Sequence, residues 1–411
     1  MLRVIKNSFH GLLAFLAAAY FGFPANKITV IGVTGTDGKT TTTHLIHHIL
    51  TYAGKKAAFI SSIYAQIGNT MYETGFHVTT PNPWTVQKLL KQAVDAGQEY
   101  MVLEVTSHGI DQNRIAGIDF YISVLTNVTH EHLDYHKSYA VYLKTKLALL
   151  QKSQVAIVNR EDKSYSQLHL KNTVHLVTYG MRKNADVNPV TFSFTTSLPG
   201  EYNRYNCLAA IAVTRHLGVP DDKIKSALKT FKGVKGRFER ISNKRNLTII
   251  IDFAHTPNAL EKILSTVKAE TKGNLIHVFG AAGQRDYLKR PLMGKISASY
   301  AQYIVLTEED YRTENVDEII NSIAKGASVK GASERNHLSD KRVQTSKNPV
   351  YYKIPQRDEA IEFAINVLAH PGDTVLLTGK AHETSLCRGT REYPWSEHAA
   401  VRQALDKYAK N

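Results

Sequence analysis

Two spacings of apolar residues alternate along this chain. Short continuous runs, such as residues 28–32, are followed by stretches in which apolar positions recur every three or four residues, as in Leu45, Ile46, Ile49 and Leu50. A continuous apolar run bounded by turn formers predicts a buried strand, and the 3.6-residue spacing predicts a helix with one face inward. On this basis the first half of the chain predicts strands at 28–32, 56–60, 100–105, 119–126 and 155–159. Its helices are predicted at 41–53, 85–96, 140–150 and 203–217. The second half predicts strands at 247–252, 275–279, 303–306 and 374–378, and helices at 258–267, 290–300, 316–325 and 357–367. Strand, turn and helix in steady succession are the mark of parallel α/β units. Residues 328–348 are polar, basic and aperiodic, which predicts a mobile loop or insertion. Glycines and lysines cluster at 232–236, the expected domain boundary, and no internal repeat is visible. The expected organisation is an apolar N-terminal segment (1–27), a central P-loop-type parallel-sheet ATPase domain (28–235) and a Rossmann-like α/β C-terminal domain (236–411).

Composition narrows the partners. With 411 residues, 43% hydrophobic and 21% charged, the chain reads as a soluble globular protein of more than one domain. Its formal net charge of +15 favours anionic partners. No nucleic-acid motif or aromatic-interleaved basic stripe accompanies that charge, so small phosphate-bearing molecules are expected rather than nucleic acid. The two cysteines, Cys207 and Cys387, lie far apart and outside any CxxC or Cys/His cluster, which argues against a disulfide framework or structural zinc and fits a cytoplasmic setting. The apolar run 12–23 after Arg3 and Lys6 is similar to a short signal peptide, yet it is too short to span a bilayer comfortably. A phosphate-binding motif follows within about a dozen residues, and export is hard to reconcile with ATP use. The segment is therefore expected to be a buried or docking helix, with weak membrane or partner contact through residues 9–24. A monomer or homodimer is expected.

The sharpest local chemistry is Gly35-Thr36-Asp37-Gly38-Lys39-Thr40-Thr41 between a predicted strand and a predicted helix. Glycines let backbone N–H groups turn toward phosphate oxygens, and the helix N-terminus adds positive potential. Lys39 suits the β/γ-phosphates and Thr40 suits Mg²⁺. Val33 stands where the stricter GxxxxGK[ST] form has its first glycine. Glu104, at the end of a predicted strand, is placed to hold Mg²⁺ near the loop.

Several further runs occur in a set order: VIGVTGTDGKTTTTHLI (30–46), Thr79-Thr80-Pro81, EVTSHG (104–109) with Gln112 and Arg114, and NVTHEHLDYH (127–136). GRFE (236–239), DFAHTPNAL (252–260), RDYLKRPLMG (285–294) and GKAHE (379–383) complete the series. Together they resemble the Mur ligase family, and within it the tripeptide-synthetase branch of peptidoglycan synthesis, over about residues 10–411. The resemblance implies an ATP-dependent ligase that activates a carboxylate as an acyl phosphate and couples it to an amino acid, with ATP and Mg²⁺ as cofactors. By this resemblance Lys39, Glu104, His132 and Lys146 form the catalytic and metal-binding group, with Thr40 as a further metal ligand. His132 matches a metal-binding histidine, although Glu131 replaces the usual aspartate beside it; Asp134 and His136 are expected to be architectural. Lys146 corresponds to a carbamylated lysine. Lys144, two residues away, is open to confusion with it, but the two lie on different helix faces.

The resemblance also implies adenine contact by Asn206, phosphate contact by Arg237, and nucleotide contact by Asp252, His255 and Asn258. The plain alternative for the last three is a strand-to-helix turn with an Asn cap. Thr79, Thr80, Ser107, Gln112 and Arg114 are implied on the acceptor side, against a reading as loop hydrogen bonds. Arg290, Asp310, Arg312, Gly379 and Glu383 are implied on the incoming amino acid. Arg312 favours a substrate with a distal carboxylate. Glu309-Asp310-Tyr311 in place of the usual D-N-P adds acidity, which leaves a cationic side chain such as lysine open. Branch members carry a uridine-nucleotide-holding domain before the phosphate loop, for which the residues ahead of the loop here are too few. Pseudomurein-like, polyglutamate, cyanophycin-like and folate acceptors, or a non-catalytic P-loop partner subunit, are therefore the alternatives.

Overall fold

Buried on both faces, β1 (Thr29–Thr34) can take the middle of a sheet because its residues form an unbroken apolar run rather than an alternating one. The computed structural model describes residues 2–74, 80–129, 131, 133–336 and 348–408. The chain divides into two compact units, Met1–Lys232 and Gly233–Asn411, each with its own parallel-dominated sheet.

The first unit opens with α1 (Leu2–Tyr20), ahead of β1. Then come α2 (Lys39–Tyr52), β2 (Ala57–Ile60), β3 (Ala65–Ile67), β4 (Thr70–Tyr72), α3 (Pro83–Asp95) and β5 (Tyr100–Glu104). The short α4 (Ser107–Asp111), β6 (Ile122–Leu125), α5 (Leu133–His136), α6 (Tyr139–Leu150), β7 (Val155–Asn159), β8 (His175–Tyr179), α7 (Glu201–His216) and α8 (Asp221–Thr230) follow. The sheet order is β4-β3-β2-β5-β1-β6-β7-β8, parallel except at the β2–β3 and β3–β4 pairs. β1 lies between β5 and β6, so the strand order reverses at β1. Such a switch point leaves a crevice beyond the C-terminal strand ends, where ligands bind in open α/β sheets.

The second unit contains β9 (Glu239–Ile241), β10 (Thr248–Asp252), α9 (Pro257–Glu270), β11 (Leu275–Phe279), α10 (Lys289–Tyr300), β12 (Tyr303–Leu306) and α11 (Val316–Val329). It continues with β13 (Ser333–Glu334), β14 (Val350–Lys353), α12 (Arg357–Phe363), β15 (Thr374–Thr378), the hairpin β16 (Ser385–Arg388) and β17 (Arg391–Pro394), and α13 (Glu397–Tyr408). Its sheet runs β13-β14-β12-β11-β15-β10-β9, with only β9 antiparallel.

The α/β alternation read from apolar spacing is the one observed. The differences fall at edges and ends. β3, β4, β8, β9, β13, β14 and the hairpin β16–β17 were not anticipated. β8 begins with exposed residues and β4 is exposed for two of its three positions, so an outer strand lacks the continuous apolar run that betrays a central one. The expected helix 357–367 is α12 followed by a π-turn at Ala364–Leu368. There Arg245 donates to the Ile365 carbonyl at 2.8 Å and competes for the helix's own acceptor. Within the expected loop 328–348, α11 runs on to Val329 and β13 forms, while residues 337–347 lie outside the described part. Among the described residues no helix is long and apolar enough to cross a membrane.

One core polar group, His277, contributes to the acid response of the second unit. His277 is fully buried on β11, bonded to Ser297 Oγ at 2.8 Å and Thr378 Oγ1 at 3.0 Å, and burial pushes its pKa down from 6.5 to about 3. The folded state keeps it neutral, whereas the unfolded chain protonates it below 6.5. Its contribution is therefore full above that pH and declines as pH falls toward 3. At pH 5 the loss is about 2 kcal/mol. Urea unfolding at pH 7 and 5 should show that drop, and His277→Gln should flatten it. Equal pH slopes in both proteins would remove His277 as the cause.

Candidate active site

The turn after β1 is held open by two glycines. Gly38 has φ +83° at the start of α2, and a Cβ there would fall 2.3 Å from Asn206 Oδ1. At Gly35 a Cβ would meet Thr126 Oγ1 at 1.8 Å, so neither position admits a side chain. The loop is tied to the end of β6 by the backbone bond from Thr36 N–H to the Asn127 carbonyl (2.9 Å), with Asn127 Oδ1 accepting from Asp37 N–H at 3.0 Å. Thr126 Oγ donates to the Asp37 carbonyl at 2.7 Å. Lys39 reaches back to the Thr36 carbonyl at 2.8 Å, which leaves its ammonium at the mouth of the loop. Thr41 is buried on the first turn of α2.

Thr40 and Glu104 converge. The Thr40 hydroxyl donates to Glu104 Oε1 at 3.1 Å, and Glu104 is 1% exposed. Parallel pairing places Val33 opposite Glu104, so a carboxylate at the end of β5 emerges beside the loop that follows β1. Ser62 completes the group: its N–H donates to Glu104 Oε2 at 2.9 Å, and its Oγ lies 3.0 Å from Thr40 Oγ1. Three hard oxygen groups at this spacing suit Mg²⁺. His132 and Thr79 lie outside the described residues.

Lys146 projects from α6 into the same neighbourhood. It is 1% exposed and donates to the Gly35 carbonyl at 2.7 Å. Burial, reinforced by the nearby Lys39 cation, holds its amine well below the usual lysine pKa. Lys144 is exposed by contrast with Lys146 and carries no such contact to the loop. On α7, Asn206 Nδ2 donates to Asn203 Oδ1 at 3.0 Å, and Asn203 Nδ2 donates to the Pro199 carbonyl at 2.7 Å.

The acceptor candidates form one chain of contacts. Arg114 donates to the Thr80 carbonyl at 2.8 Å and to Gln112 Oε1 at 2.9 Å. Gln112 reaches the Tyr135 hydroxyl at 3.4 Å, and Ser107 Oγ lies 2.9 Å from His136 Nε2. Thr80 Oγ1 accepts from Thr106 N–H at 3.0 Å.

In the second unit, Asp252 accepts from the N–H groups of Phe238 (2.7 Å) and Ala254 (2.8 Å), and Arg237 stacks over Phe253 at 4.5 Å. His255 Nδ1 is 2.9 Å from the Phe253 carbonyl. The helix cap is Thr256, whose hydroxyl accepts from Ala259 N–H at 3.1 Å; Asn258 therefore is not the cap that the turn reading expects. The amino-acid candidates also meet. Arg290 pairs with Glu314 at 2.8 Å and donates to the Ala282 carbonyl at 3.2 Å, while Arg312 donates to the adjoining Gly283 carbonyl at 2.5 Å. Asp310 and Glu383 share Lys380, at 2.8 Å and 2.5 Å, and Gly379 sits against the Glu309 carboxylate. The acidity that the sequence places here is spoken for: Lys380 holds Asp310, Arg388 holds Glu308, and burial raises the Glu309 pKa.

Ser62, Asn127, Asn203 and Lys380 were missed in the sequence. The N-x-x-N spacing of Asn203 and Asn206 was a usable signal, and so was the place of Lys380 within GKAHE. Ser62 had none, since it depends on β2 lying beside β5 with Ile60 opposite Leu103.

The Mur ligase middle domain matches residues 33–214, and the Mur ligase glutamate ligase domain matches residues 236–381. A UDP-N-acetylmuramyl-tripeptide synthetase of Roseiflexus sp. (strain RS-1) is 37% identical over 96% of this chain and 81% of its own length. A UDP-N-acetylmuramoyl-L-alanyl-D-glutamate–2,6-diaminopimelate ligase of Geobacillus kaustophilus (strain HTA426) is 34% identical, covering 98% and 84%. A solved diaminopimelate ligase of the same description is 26% identical with TM-score 0.60, over 93% of this chain and 79% of that one. FolC of E. coli with DHPP and ADP shares the fold, at 17% identity and TM-score 0.70 over 97% and 92%.

Proposed function

The chain belongs to the Mur ligase family, and from that premise we propose that it couples an amino acid bearing a distal carboxylate, of the 2,6-diaminopimelate type, to a UDP-N-acetylmuramoyl-L-alanyl-D-glutamate-like acceptor. It is an ATP-dependent, ADP-forming ligase. The observation that carries the site reading is the convergence of Thr40, Ser62 and the buried Glu104 carboxylate beside the phosphate loop, with Lys39 of α2 and Lys146 of α6 both bonded to carbonyls of that loop.

Hydroxide is a poor leaving group, so the acceptor carboxylate must first be activated. A carboxylate oxygen attacks the γ-phosphorus, the bond to the β-phosphate oxygen breaks, and ADP leaves. The amine then attacks the acyl carbon, gives up a proton, and expels phosphate through a tetrahedral intermediate. Positioning and charge neutralisation supply the acceleration. Lys39 and the N–H groups of the loop bind the β/γ-phosphates, and Gly35, Thr36, Asp37, Gly38 and Thr41 shape that cradle. Thr40, Glu104 and His132 are the residues to hold Mg²⁺, with Ser62 orienting Glu104. Bound there, Mg²⁺ neutralises charge on the transferring phosphoryl group. Lys146 is proposed to act as a carbamate: its neutral amine adds to carbon dioxide, a N–C bond forms and a proton leaves. A carbon-13 carbamate signal present in the protein and absent from Lys146→Arg is the expected result. Its absence from both removes this role.

Asn206, Arg237, Asp252, His255 and Asn258 are assigned to the nucleotide, and Thr79, Thr80, Ser107, Gln112 and Arg114 to the acceptor. Arg290, Asp310, Arg312, Gly379 and Glu383 are assigned to the amino acid. The neutralised acidic cluster supports a distal carboxylate over lysine, because the Asp310 carboxylate already faces two cations, Lys380 at 2.8 Å and Arg312 at 4.0 Å. The need for ATP supports a cytoplasmic setting.

Incubation with ATP, Mg²⁺, acceptor and single amino acids tests the reading. ADP release that needs both acceptor and amine is expected, with product mass identifying diaminopimelate over lysine and ornithine. ADP release with folate or glutamyl acceptors alone would replace the muramoyl reading.

A further inference from the structure

α1 shows two unlike faces. Ala14, Ala17 and Ala18 are fully buried, and the Ala18 methyl lies 3.0 Å from where a Cβ on Gly117 would stand, so the helix packs closely against the first unit. On the other side Phe9 is 63% exposed, Leu12 57%, Phe15 54%, Leu16 53% and Tyr20 73%. Helical geometry brings these five to one face. Trp84 at the start of α3 extends the patch, with its ring 4.9 Å from Tyr20 and 5.2 Å from Phe21. A contiguous apolar surface on a firmly packed helix marks an interaction site rather than scattered exposure.

Charge identifies the occupant. The chain has no acidic residue before Asp37, while Arg3, Lys6 and Lys27 fall in that stretch, and the whole protein carries +15. Two copies of so cationic a chain repel each other. An anionic surface attracts it. A helix buried along one face and carrying exposed Phe, Leu and Tyr along the other, beside Trp84, has the two-faced form of a helix that lies in the headgroup layer. We propose that the outer face of α1, with Trp84, seats this enzyme on an anionic lipid bilayer.

The full chain is tested by flotation with vesicles of phosphatidylcholine alone and of phosphatidylcholine with phosphatidylglycerol. Flotation with the anionic vesicles only, weakening as salt rises, is expected. The exposed-face variant Leu12→Ser/Phe15→Ser/Leu16→Ser should lower partitioning at least about tenfold while keeping the melting temperature and ATP turnover in solution. No flotation with anionic vesicles overturns the proposal. So does a variant that partitions like the wild type, which would reduce binding to diffuse charge. Sedimentation showing a dimer that this variant dissolves, without vesicle binding, would assign the face to a second copy.

Discussion

Lys39→Ala is expected to lower turnover by about 10²–10³-fold with little change in melting temperature. The side chain is only partly buried and donates to the Thr36 carbonyl at 2.8 Å, a local bond whose loss costs the fold little. Its ammonium is the cation held against the loop, and no other described group on α2 takes that position. Lys39→Arg should recover only part of the rate, because a planar guanidinium is a poor substitute for a compact ammonium among phosphate oxygens. Single-turnover formation of ADP and the melting midpoint, measured on the same preparations, separate the two effects. A variant that turns over normally would take the phosphate loop out of the mechanism.

The largest stability effect is expected in the second unit. Arg357 and Glu397 are both 0% exposed and form a two-bond pair, at 2.5 Å and 2.9 Å. Arg357 also donates to the Thr378 carbonyl at 2.8 Å, and Trp395 Nε1 donates to Glu397 at 3.0 Å. Glu397→Gln leaves a buried guanidinium without its counter-charge, which costs about 3–5 kcal/mol. For a unit of this size the midpoint should fall by roughly 10 °C. The double variant Arg357→Leu/Glu397→Leu should regain much of the loss, since removing both charges also removes their desolvation penalty. Calorimetry on the three proteins decides it; additive losses in the double variant would contradict the pair. Because Thr378 leads directly into Gly379 and Lys380, the same single variant should also weaken amino-acid use.

Residues 28–32, 275–279 and 374–378 were readable as central strands because burial on both faces forces an unbroken apolar run, and that requirement is local. The phosphate loop was readable for a similar reason: glycines, a lysine and a threonine must lie at fixed offsets on one turn to cradle phosphate. What needed the folded chain were groups whose meaning comes from neighbours far away in sequence. Ser62 acquires its place only when β2 pairs with β5, and the Asp310 carboxylate changes from free acidity to half of an ion pair only when Lys380, 70 residues later, reaches it. The outer face of α1 belongs with these. An apolar run shows that a helix will bury something, but which side is covered depends on what the fold brings against it. The sequence by itself determined the alternation of strands and helices and the phosphate chemistry, both products of short-range spacing. Register between strands and charge pairing across the sheet were decided by tertiary structure, because they depend on distances that no local pattern encodes.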